Sequence, residues 1–316
     1  METLIELKNV SKKFGARSAV QNVSFAVQRG EIFGLLGHNG AGKSTIIGMM
    51  LGQVWADSGE IRLFNYNIYS QRENALRKVG AIFETPSFYD YLSGWKNLEI
   101  LSYYSAPTSP ERIKQVIDWV GLTGREHSKV RTYSHGMRTR LALAQALLPE
   151  PELLILDEPG EGLDPEGIAE MRHTILRLQR ELGLTIFLSS HLLNEVEQLC
   201  SRIVVIKKGS LIYDGKMSGI KSSHNWYKMN VSDFSKAVNL LKSNGLITSY
   251  KDSAVLPAPN VEPSSIVKFV VQNNIDVYEF HRIEETLESF YLSLIKSAPI
   301  RDNKNESHSD LIHKPE

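Results

Sequence analysis

A glycine-rich loop between an apolar segment and a helical pattern constrains the fold of this 316-residue chain more than any other feature. Residues 32–36 read as a buried strand, and residues 46–51 read as the start of a helix. Between them lie Gly37, His38, Asn39, Gly40, Ala41, Gly42, Lys43, Ser44 and Thr45. This run has the form G-x-x-x-x-G-K-[ST] in the strand–loop–helix context that such a loop requires. It predicts an α/β fold with an anion site at a strand end.

The rest of the chain divides into regions that differ in hydrophobic pattern and in polarity. Residues 1–219 alternate apolar and amphipathic segments, which predicts an α/β domain with strands at 153–156, 184–188 and 203–206. Helical periodicity prevails at about 85–150, which we interpret as a helical subdomain. Strand-like and helix-like pieces at 220–297 predict a small second domain of the α+β class. The polar stretch 298–316 is expected to be disordered.

Composition and charge exclude several classes of protein. Lys plus Arg and Asp plus Glu both number 36, so the chain lacks the basic excess of most nucleic-acid-binding proteins, and we expect no nucleic-acid partner. The single cysteine, Cys200, excludes an internal disulfide framework and a multi-cysteine metal site. The first residues lack the pattern of a signal peptide, and no apolar stretch approaches the ~20 residues that cross a bilayer. We expect a cytoplasmic chain that cannot span a membrane by itself.

The glycine-rich loop predicts a phosphate site. Its glycines let the backbone curl so that successive N–H groups face one concavity, with a helix N-terminus behind them. Lys43 is expected to reach the β- and γ-phosphates of a nucleotide, and the Ser44 hydroxyl to ligate Mg²⁺. The alternative is an ordinary glycine-rich turn with an exposed lysine. The flanking strand and helix favour nucleotide binding.

Two acids follow the apolar segment 153–156. Asp157 stands at the carboxyl end of this predicted strand, where open α/β sheets bind ligands, and is expected to hold Mg²⁺ directly or through water. Glu158 is the candidate to activate the attacking water. The structural alternative is that the two acids merely end a strand. His191 closes another predicted strand, where a histidine is usually structural.

The motifs resemble those of an ABC transporter nucleotide-binding subunit, over about residues 4–217. Tyr133-Ser-His-Gly-Met137 resembles the ABC signature, and its position between the phosphate loop and Asp157 matches the family. The motifs that follow, Gly162-Leu-Asp164 and then His191, also stand in the family's order. The resemblance implies that two copies dimerise head to tail around two ATP molecules. Each ATP would lie between the phosphate loop of one copy and the signature of the other.

The resemblance also implies roles for individual residues. Ser134 and Gly136 would contact the γ-phosphate across the dimer interface, with the signature helix pointing its positive end at it. Asp164 would communicate between the two sites, and His191 would contact the γ-phosphate. Phe14 would stack on the adenine, although a core or edge phenylalanine remains the alternative for this residue.

Three positions depart from the family pattern. Glu84 stands where the family usually has glutamine, and it resembles the variant in bacitracin and lantibiotic self-protection subunits and related exporters. A carboxylate at this position would still ligate Mg²⁺ or orient water, with added negative charge near the phosphates. His135 replaces the first glycine of the signature, and Phe14 replaces the more usual tyrosine. Because Ser134 and Gly136 are retained, we expect ATP hydrolysis to survive.

These features predict the ATP-hydrolysing subunit of an ABC exporter for a drug, peptide or lipid-like compound. The membrane permease would be one or two separate chains, so this subunit would lie peripherally at the cytoplasmic face of the membrane. The aromatic residues of 84–104 would receive a helix of that permease, or form the core of the helical region itself. The segment 282–294 resembles the C-terminal helix of exporter-type subunits.

Two other functions stay open. The first is a soluble ABC ATPase of translation or DNA repair, which the single motif set and the absence of a heptad pattern oppose. The second is a regulatory module that binds ATP with little hydrolysis. Lys43, Asp157, Glu158 and His191 oppose it, whereas Glu84 and His135 are compatible with it.

Overall fold

The computed structural model describes residues 2–83, 86–105, 108–222, 226–283 and 286–297. Two of the sequence predictions, the role of Glu84 and the disorder of 298–316, fall outside the described residues. Within them, no helix combines the length and the apolarity needed to cross a bilayer.

The strands and helices follow in this order along the chain. The first half contains β1 (Thr3–Phe14), β2 (Arg17–Gln28), β3 (Ile32–Leu36), α1 (Lys43–Met50), β4 (Ser58–Leu63), β5 (Tyr66–Asn67), α2 (Arg72–Leu76), β6 (Val79–Ile82), α3 (Gly94–Ser105), α4 (Pro110–Trp119) and α5 (His135–Leu147). The second half contains β7 (Leu153–Asp157), α6 (Pro165–Leu182), β8 (Thr185–Ser190), α7 (Leu193–Leu199), β9 (Arg202–Lys207), β10 (Ser210–Lys216), α8 (Met217–Ser222), β11 (Tyr227–Val231), α9 (Phe234–Ser243), β12 (Ile247–Lys251), β13 (Ala254–Pro257), α10 (Pro263–Gln272), β14 (Val277–Arg282) and α11 (Leu287–Ser297).

The central sheet has the strand order β10-β9-β3-β8-β7-β6. Its strands pair in parallel except for β10, which runs antiparallel to β9 at one edge. Every residue of β3 is buried, as are the first four residues of β7. Parallel strands covered on both faces need apolar side chains on both, which explains the uninterrupted apolar runs of the sequence. The predicted α/β sheet is confirmed.

One face of the central sheet packs against an antiparallel sheet of order β2-β1-β4-β5 and against α1. Phe25, Phe33 and Phe187 stack in the core between the two sheets, with ring centroids 5.5, 6.1 and 5.7 Å apart. Such offset aromatic contacts add to the free energy that burial itself contributes. This core fixes β3, and with it the start of the glycine-rich loop.

Helices cover the opposite face of the central sheet. The predicted helical region contains α3, α4 and α5, which share a core cluster with α6 and α7. Helix α5 approaches β6 so closely that a Cβ on Gly80 would lie 2.2 Å from the Ala146 carbonyl oxygen. Only glycine permits that approach, and it fixes the position of α5 relative to the sheet.

The chain from β11 to β14 forms a small domain with its own hydrophobic core. Its antiparallel sheet has the order β12-β13-β11-β14 and packs against α9 and α10. This βαββαβ connectivity, with the first and third strands in the centre, is that of a ferredoxin-like unit. The buried side chains of its core include Met229, Ala237, Leu241, Val255 and Ile266.

The predicted boundary of this small domain differs from the observed packing at its C-terminal end. The prediction placed all of 220–297 in one unit, but helix α11 packs on α7 and α8 of the first domain. Its apolar side chains recur at the spacing of one helix face, as Leu287, Phe290, Tyr291 and Leu294, and join the core cluster of the first domain. A change of composition near residue 219 marks where the chain leaves the first domain. No change of composition marks where it returns to that domain at α11.

Candidate active site

Strand order brings three loops together at one edge of the central sheet. β3, β8 and β7 are parallel neighbours, so their carboxyl ends meet. The glycine-rich loop follows β3, Asp157 ends β7, and His191 follows β8. This edge is where ligands bind in open α/β sheets. The sheet therefore places the predicted phosphate loop beside the predicted acids and histidine.

The glycine-rich loop depends on glycine at two positions. Gly40 and Gly42 have φ angles of 78° and 114°, in the left-handed region that side chains disfavour. A Cβ on Gly42 would also lie 2.5 Å from the Ala19 carbonyl oxygen. No side chain caps the N-terminus of α1 at Gly42. Its first N–H groups are thus directed at the space in front of the loop, as an anion site requires.

Lys43 extends back into this loop. Its side chain is 6% exposed, and Nζ donates a hydrogen bond of 2.7 Å to the Gly37 carbonyl oxygen. The same Nζ lies 3.0 Å from Oε1 of Glu158. A buried ammonium needs such partners, because burial without them disfavours the charged form. The loop therefore holds a fixed positive charge at its centre.

Glu158 connects the lysine with the histidine. Its Oε2 lies 2.8 Å from Nδ1 of His191 and accepts a hydrogen bond of 3.2 Å from the backbone N–H of His191. The Glu158 backbone N–H donates to Ser189 at the end of β8, and its φ angle is 48°. This backbone conformation is uncommon for a residue with a side chain and is a feature of constrained sites. The sequence predicted Lys43, Glu158 and His191 as site residues. It did not predict that the Glu158 carboxylate contacts both of the other side chains.

Asp157 and Ser44 line one cavity of about 370 Å³, together with Glu158, Glu161 and His135. The Ser189 hydroxyl donates a hydrogen bond to Oδ1 of Asp157, which fixes that carboxylate. In the described part of the chain, no group of three or more His, Cys, Asp or Glu side chains forms a metal site by itself. Mg²⁺ does not need one, because it is usually held by one or two protein oxygens together with substrate phosphates and water. The hydroxyl and the carboxylate fit such an ion.

A larger cavity of about 530 Å³ shares Ser44, Glu158 and Glu161 with the first. Phe14 lines it and is 51% exposed, so Phe14 is not a core residue. Arg17 also lines this cavity, and its guanidinium reaches the Gly40 carbonyl oxygen at 3.4 Å. The sequence did not single out Arg17 or Glu161, which lines both cavities. The turn at Gly15, which brings Arg17 beside Phe14, is the one local sign of this placement.

The signature region lies beside the loop that contains Asp164. Ser134 caps α5 by accepting a hydrogen bond of 3.2 Å from the Met137 backbone N–H, and Asp164 caps α6 in the same way through Gly167 at 2.8 Å. His135 connects the two regions, with Nε2 at 3.0 Å from the Glu161 carbonyl oxygen. Ser134 and His135 are exposed. The caps orient both helix N-termini.

Helix α11 contributes one further residue near the phosphate loop. Tyr291 lines a cavity of about 290 Å³ with Gly37, His38, Asn39 and His191. Burial raises the pKa of the Tyr291 hydroxyl, and a hydrogen-bonding interaction with the His38 backbone opposes that shift. The phenol is therefore neutral in the physiological range. The apolar stripe of α11 is visible in the sequence, but its proximity to the phosphate loop is not.

Comparison with known proteins agrees with this geometry. The family model described as ABC transporter matches residues 20–161. An uncharacterized ABC transporter ATP-binding protein, YhcH of Bacillus subtilis (strain 168), is 39% identical over 295 residues, which cover 93% of this chain and 96% of that protein. The bacitracin transport ATP-binding protein BcrA of Bacillus licheniformis is 37% identical over 305 residues, with 95% and 100% covered. The chain belongs to the ABC transporter ATP-binding proteins.

The solved structures of this family share the fold. The ATP-binding cassette MJ0796, described as a dimeric post-hydrolysis state bound to ADP and Pi, matches with a TM-score of 0.61 at 25% identity. The match covers 68% of this chain and 99% of that one. As a member of the family, this ABC protein binds ATP and is an ATPase whose hydrolysis is coupled to transport. We refer to its first domain, including α11, as the cassette.

Proposed function

We propose that this ATPase drives an exporter and works as a head-to-tail dimer on a separate membrane permease. The observation that carries the proposal is the contact of the Glu158 carboxylate with both Lys43 and His191, at the sheet edge where three strand ends meet. A cation, a carboxylate and an imidazole at one phosphate loop are the groups that phosphoryl transfer to water requires. The relative named for bacitracin transport matches 95% of this chain, which supports the transport role.

In the proposed reaction, the phosphate loop and Lys43 hold the β- and γ-phosphates. Ser44 and Asp157 would hold Mg²⁺, with Glu84 near it, and the ion would neutralise charge on the phosphates. Glu158 orients the attacking water and accepts its proton, and His191 contacts the γ-phosphate. Because Glu158 already contacts His191, the base and its neighbour are set at a fixed distance before water attacks the γ-phosphate.

The remaining site residues act at the two ends of the nucleotide. Phe14 is proposed to stack on the adenine, which its exposed position at the rim of the larger cavity supports. Ser134 and Gly136 are proposed to bind the γ-phosphate held by a second copy, with Asp164 communicating between the sites. Two facts support the dimer: the capped N-terminus of α5 begins at exposed residues, and the related cassette MJ0796 is dimeric.

Exposed aromatic side chains are proposed to receive the permease. Tyr89 and Tyr91 are 42% and 68% exposed, and their rings contact each other edge to face. Tyr103 and Tyr104, near the end of α3, are 71% and 82% exposed. Phe88 and Trp95 pack against the core instead, so the aromatic residues divide between the two roles that the sequence left open. Docking at these tyrosines would keep the protein peripheral, at the cytoplasmic face of the membrane.

The cargo is proposed to be a drug, peptide or lipid-like compound that leaves the cell. The support is the similarity to the bacitracin transport protein, which extends through the small domain to cover 95% of this chain. The sequence alone also left open a soluble role in translation or DNA repair. Membership of the ABC transporter ATP-binding proteins opposes that role.

Co-purification and mutation test this proposal together. The full chain is expressed with the membrane proteins of its own cell, isolated from the membranes and assayed for ATP hydrolysis. We expect a membrane protein with several spans to co-purify. We expect Glu158→Gln to lower the rate of ATP hydrolysis by about 100-fold or more. Glu161→Gln, an acid that lines the same cavities without contacting Lys43, serves as the matched control. Recovery of the chain on ribosomes without a membrane partner would overturn the proposal.

A further inference from the structure

Helix α11 reaches the active site from a part of the chain well beyond His191, the last of the site motifs. It begins after β14, the last strand of the small domain, where Thr286 accepts hydrogen bonds from Ser289 and Phe290. The helix then crosses the cassette beside α7 and α8. It is therefore the segment that directly joins the small domain to the neighbourhood of the phosphate loop.

The attachment of α11 to the cassette is specific along its length. At its start, the Leu287 backbone N–H donates a hydrogen bond of 3.2 Å to Oε2 of Glu197, a residue of α7. In its middle, the Phe290 ring packs edge to face on Tyr213 with centroids 4.8 Å apart. Near its end, Nζ of Lys207 donates a hydrogen bond of 2.6 Å to the Ile295 carbonyl oxygen. These contacts from three cassette elements fix both the rotation and the height of the helix.

This attachment places Tyr291 between the two loops that contact phosphate in the proposed reaction. Tyr291 lines a cavity with His38, the second residue of the phosphate loop, and with its neighbours Gly37 and Asn39. The same cavity is lined by His191 and by Leu193, the first residue of α7. Tyr291, a residue of α11, is thus a neighbour of both the first turn of the phosphate loop and the start of α7.

We propose that Tyr291 is a positioning residue that holds the first turn of the phosphate loop and the His191 loop in the arrangement that binds ATP. The proposal deepens the proposed function and rests on it for the meaning of His191. A glycine-rich loop has many accessible backbone conformations, so its ordering lowers affinity unless a neighbour restrains it beforehand. Tyr291 supplies that restraint from a cavity that has only Asn39 in common with the larger cavity beside Phe14. Through α11, the small domain then acts on ATP affinity without touching the nucleotide.

Substitutions on α11 separate positioning from general stability. Tyr291→Ala removes the ring and the hydroxyl, and Tyr291→Phe removes the hydroxyl alone. Phe290→Leu is the structural control, because Phe290 packs on Tyr213 and lines neither loop. Leu292→Ala is the surface control, since Leu292 is 49% exposed on the same helix. The equilibrium dissociation constant of a fluorescent ATP analogue is measured on the full chain, and KM, kcat and Tm accompany it.

The expected pattern is a change of affinity that is not proportional to the change of Tm. Tyr291→Ala should raise the dissociation constant and KM about 10-fold, with a smaller change in kcat. Tyr291→Phe keeps the ring that lines the cavity and should retain most of the affinity, with a rise of about 3-fold in the dissociation constant from the lost hydroxyl. Phe290→Leu should lower Tm and leave the dissociation constant unchanged.

Two results would overturn the proposal. One is wild-type affinity in both Tyr291 variants, or in Tyr291→Phe alone if the alanine variant does not fold. The other is a loss of affinity in Phe290→Leu as large as that in Tyr291→Ala. Because analogue binding is measured on the chain without a permease, it decides the role of Tyr291 even if no transport partner is found. Failure of the proposed function would show instead as absent hydrolysis in the wild-type complex.

Discussion

The carboxylate of Glu158 lies 3.0 Å from Nζ of Lys43 and 2.8 Å from Nδ1 of His191. Glu158, the proposed general base, therefore forms an ion pair with Lys43, the cation that is proposed to bind the phosphates of ATP. A γ-phosphate and Glu158 compete for the same ammonium, since both are anions and Lys43 is nearly buried. Binding of ATP should move Glu158 away from Lys43 while its contact with His191 persists.

This competition predicts opposite effects of one mutation on binding and on turnover. Glu158→Gln removes a negative charge beside the phosphates, so ATP should bind about 3- to 10-fold more tightly while hydrolysis is lost. Titration with a fluorescent ATP analogue measures the affinity, and phosphate release measures the turnover. Glu161→Gln is the control and should change affinity less. Weaker binding by Glu158→Gln would contradict the competition.

The contact between His135 and the Glu161 carbonyl oxygen predicts a second effect. His135→Ala removes the hydrogen bond that holds the loop before Asp164, and hydrolysis by the dimer should fall about 3- to 10-fold. ATP binding to a single chain should change less than hydrolysis does, because the proposed partner of the signature is the other copy's nucleotide. His135→Gln can still donate to the carbonyl and should restore most of the rate. Equal rates in the wild type and the alanine variant would show that this contact has no role.

The buried thiol of Cys200 predicts a dependence of stability on pH. Burial raises the pKa of this thiol well above its usual value, so the folded chain keeps the proton while the unfolded chain loses it above about pH 8.5. The unfolded state then binds fewer protons, and the free energy of unfolding falls as pH rises. At pH 9.5 the loss from this group should be about 1.4 kcal/mol relative to pH 7.

Comparison with Cys200→Ala isolates that contribution. Urea unfolding at several pH values should show a shallower decline for the alanine variant above pH 8.5. The thiol of the folded wild type should also react slowly with a disulfide reagent and rapidly once the chain is unfolded. Parallel declines in the two proteins would mean that Cys200 has no such role.

The packing of α11 on the cassette predicts that a mutation in the buried face of α11 destabilises the cassette and not the small domain. Leu287 is 1% exposed and belongs to the cassette core, so Leu287→Ala should lower the free energy of unfolding of the cassette by about 3 kcal/mol. Leu292→Ala, on the exposed side of the same helix, should change it by less than about 0.5 kcal/mol. Thermal unfolding with and without ATP identifies the cassette transition, because ATP stabilises only the unit that binds it. A shift confined to the small domain would refute this assignment of α11.

The parts of the site that the sequence could predict are those with local determinants. The loop before Lys43 requires glycines, and the strand before Asp157 requires apolar residues on both faces, so both leave a continuous pattern. The contact of Glu158 with Lys43 and His191 depends on the order of β3, β8 and β7, which no single segment encodes.

The residues that the sequence did not predict are those whose partners are distant. Tyr291 is one of several apolar residues on α11, and periodicity shows that the helix has a buried face without showing what covers it. Arg17 reaches the phosphate loop only because the two sheets pack against each other, which brings the start of β2 to Gly40. Such relations follow from tertiary packing and have no spacing rule along the chain.

The return of the chain to the cassette after the small domain makes the cassette discontinuous, and this sets an order for its synthesis. Residues 227–282 leave the ribosome before α11 does, so they can form their own core while the cassette still lacks α11. Until α11 is made, the surface of α7 and α8 that it covers is exposed to other nascent chains. Completion of the nucleotide-binding unit is therefore timed by the translation of the small domain.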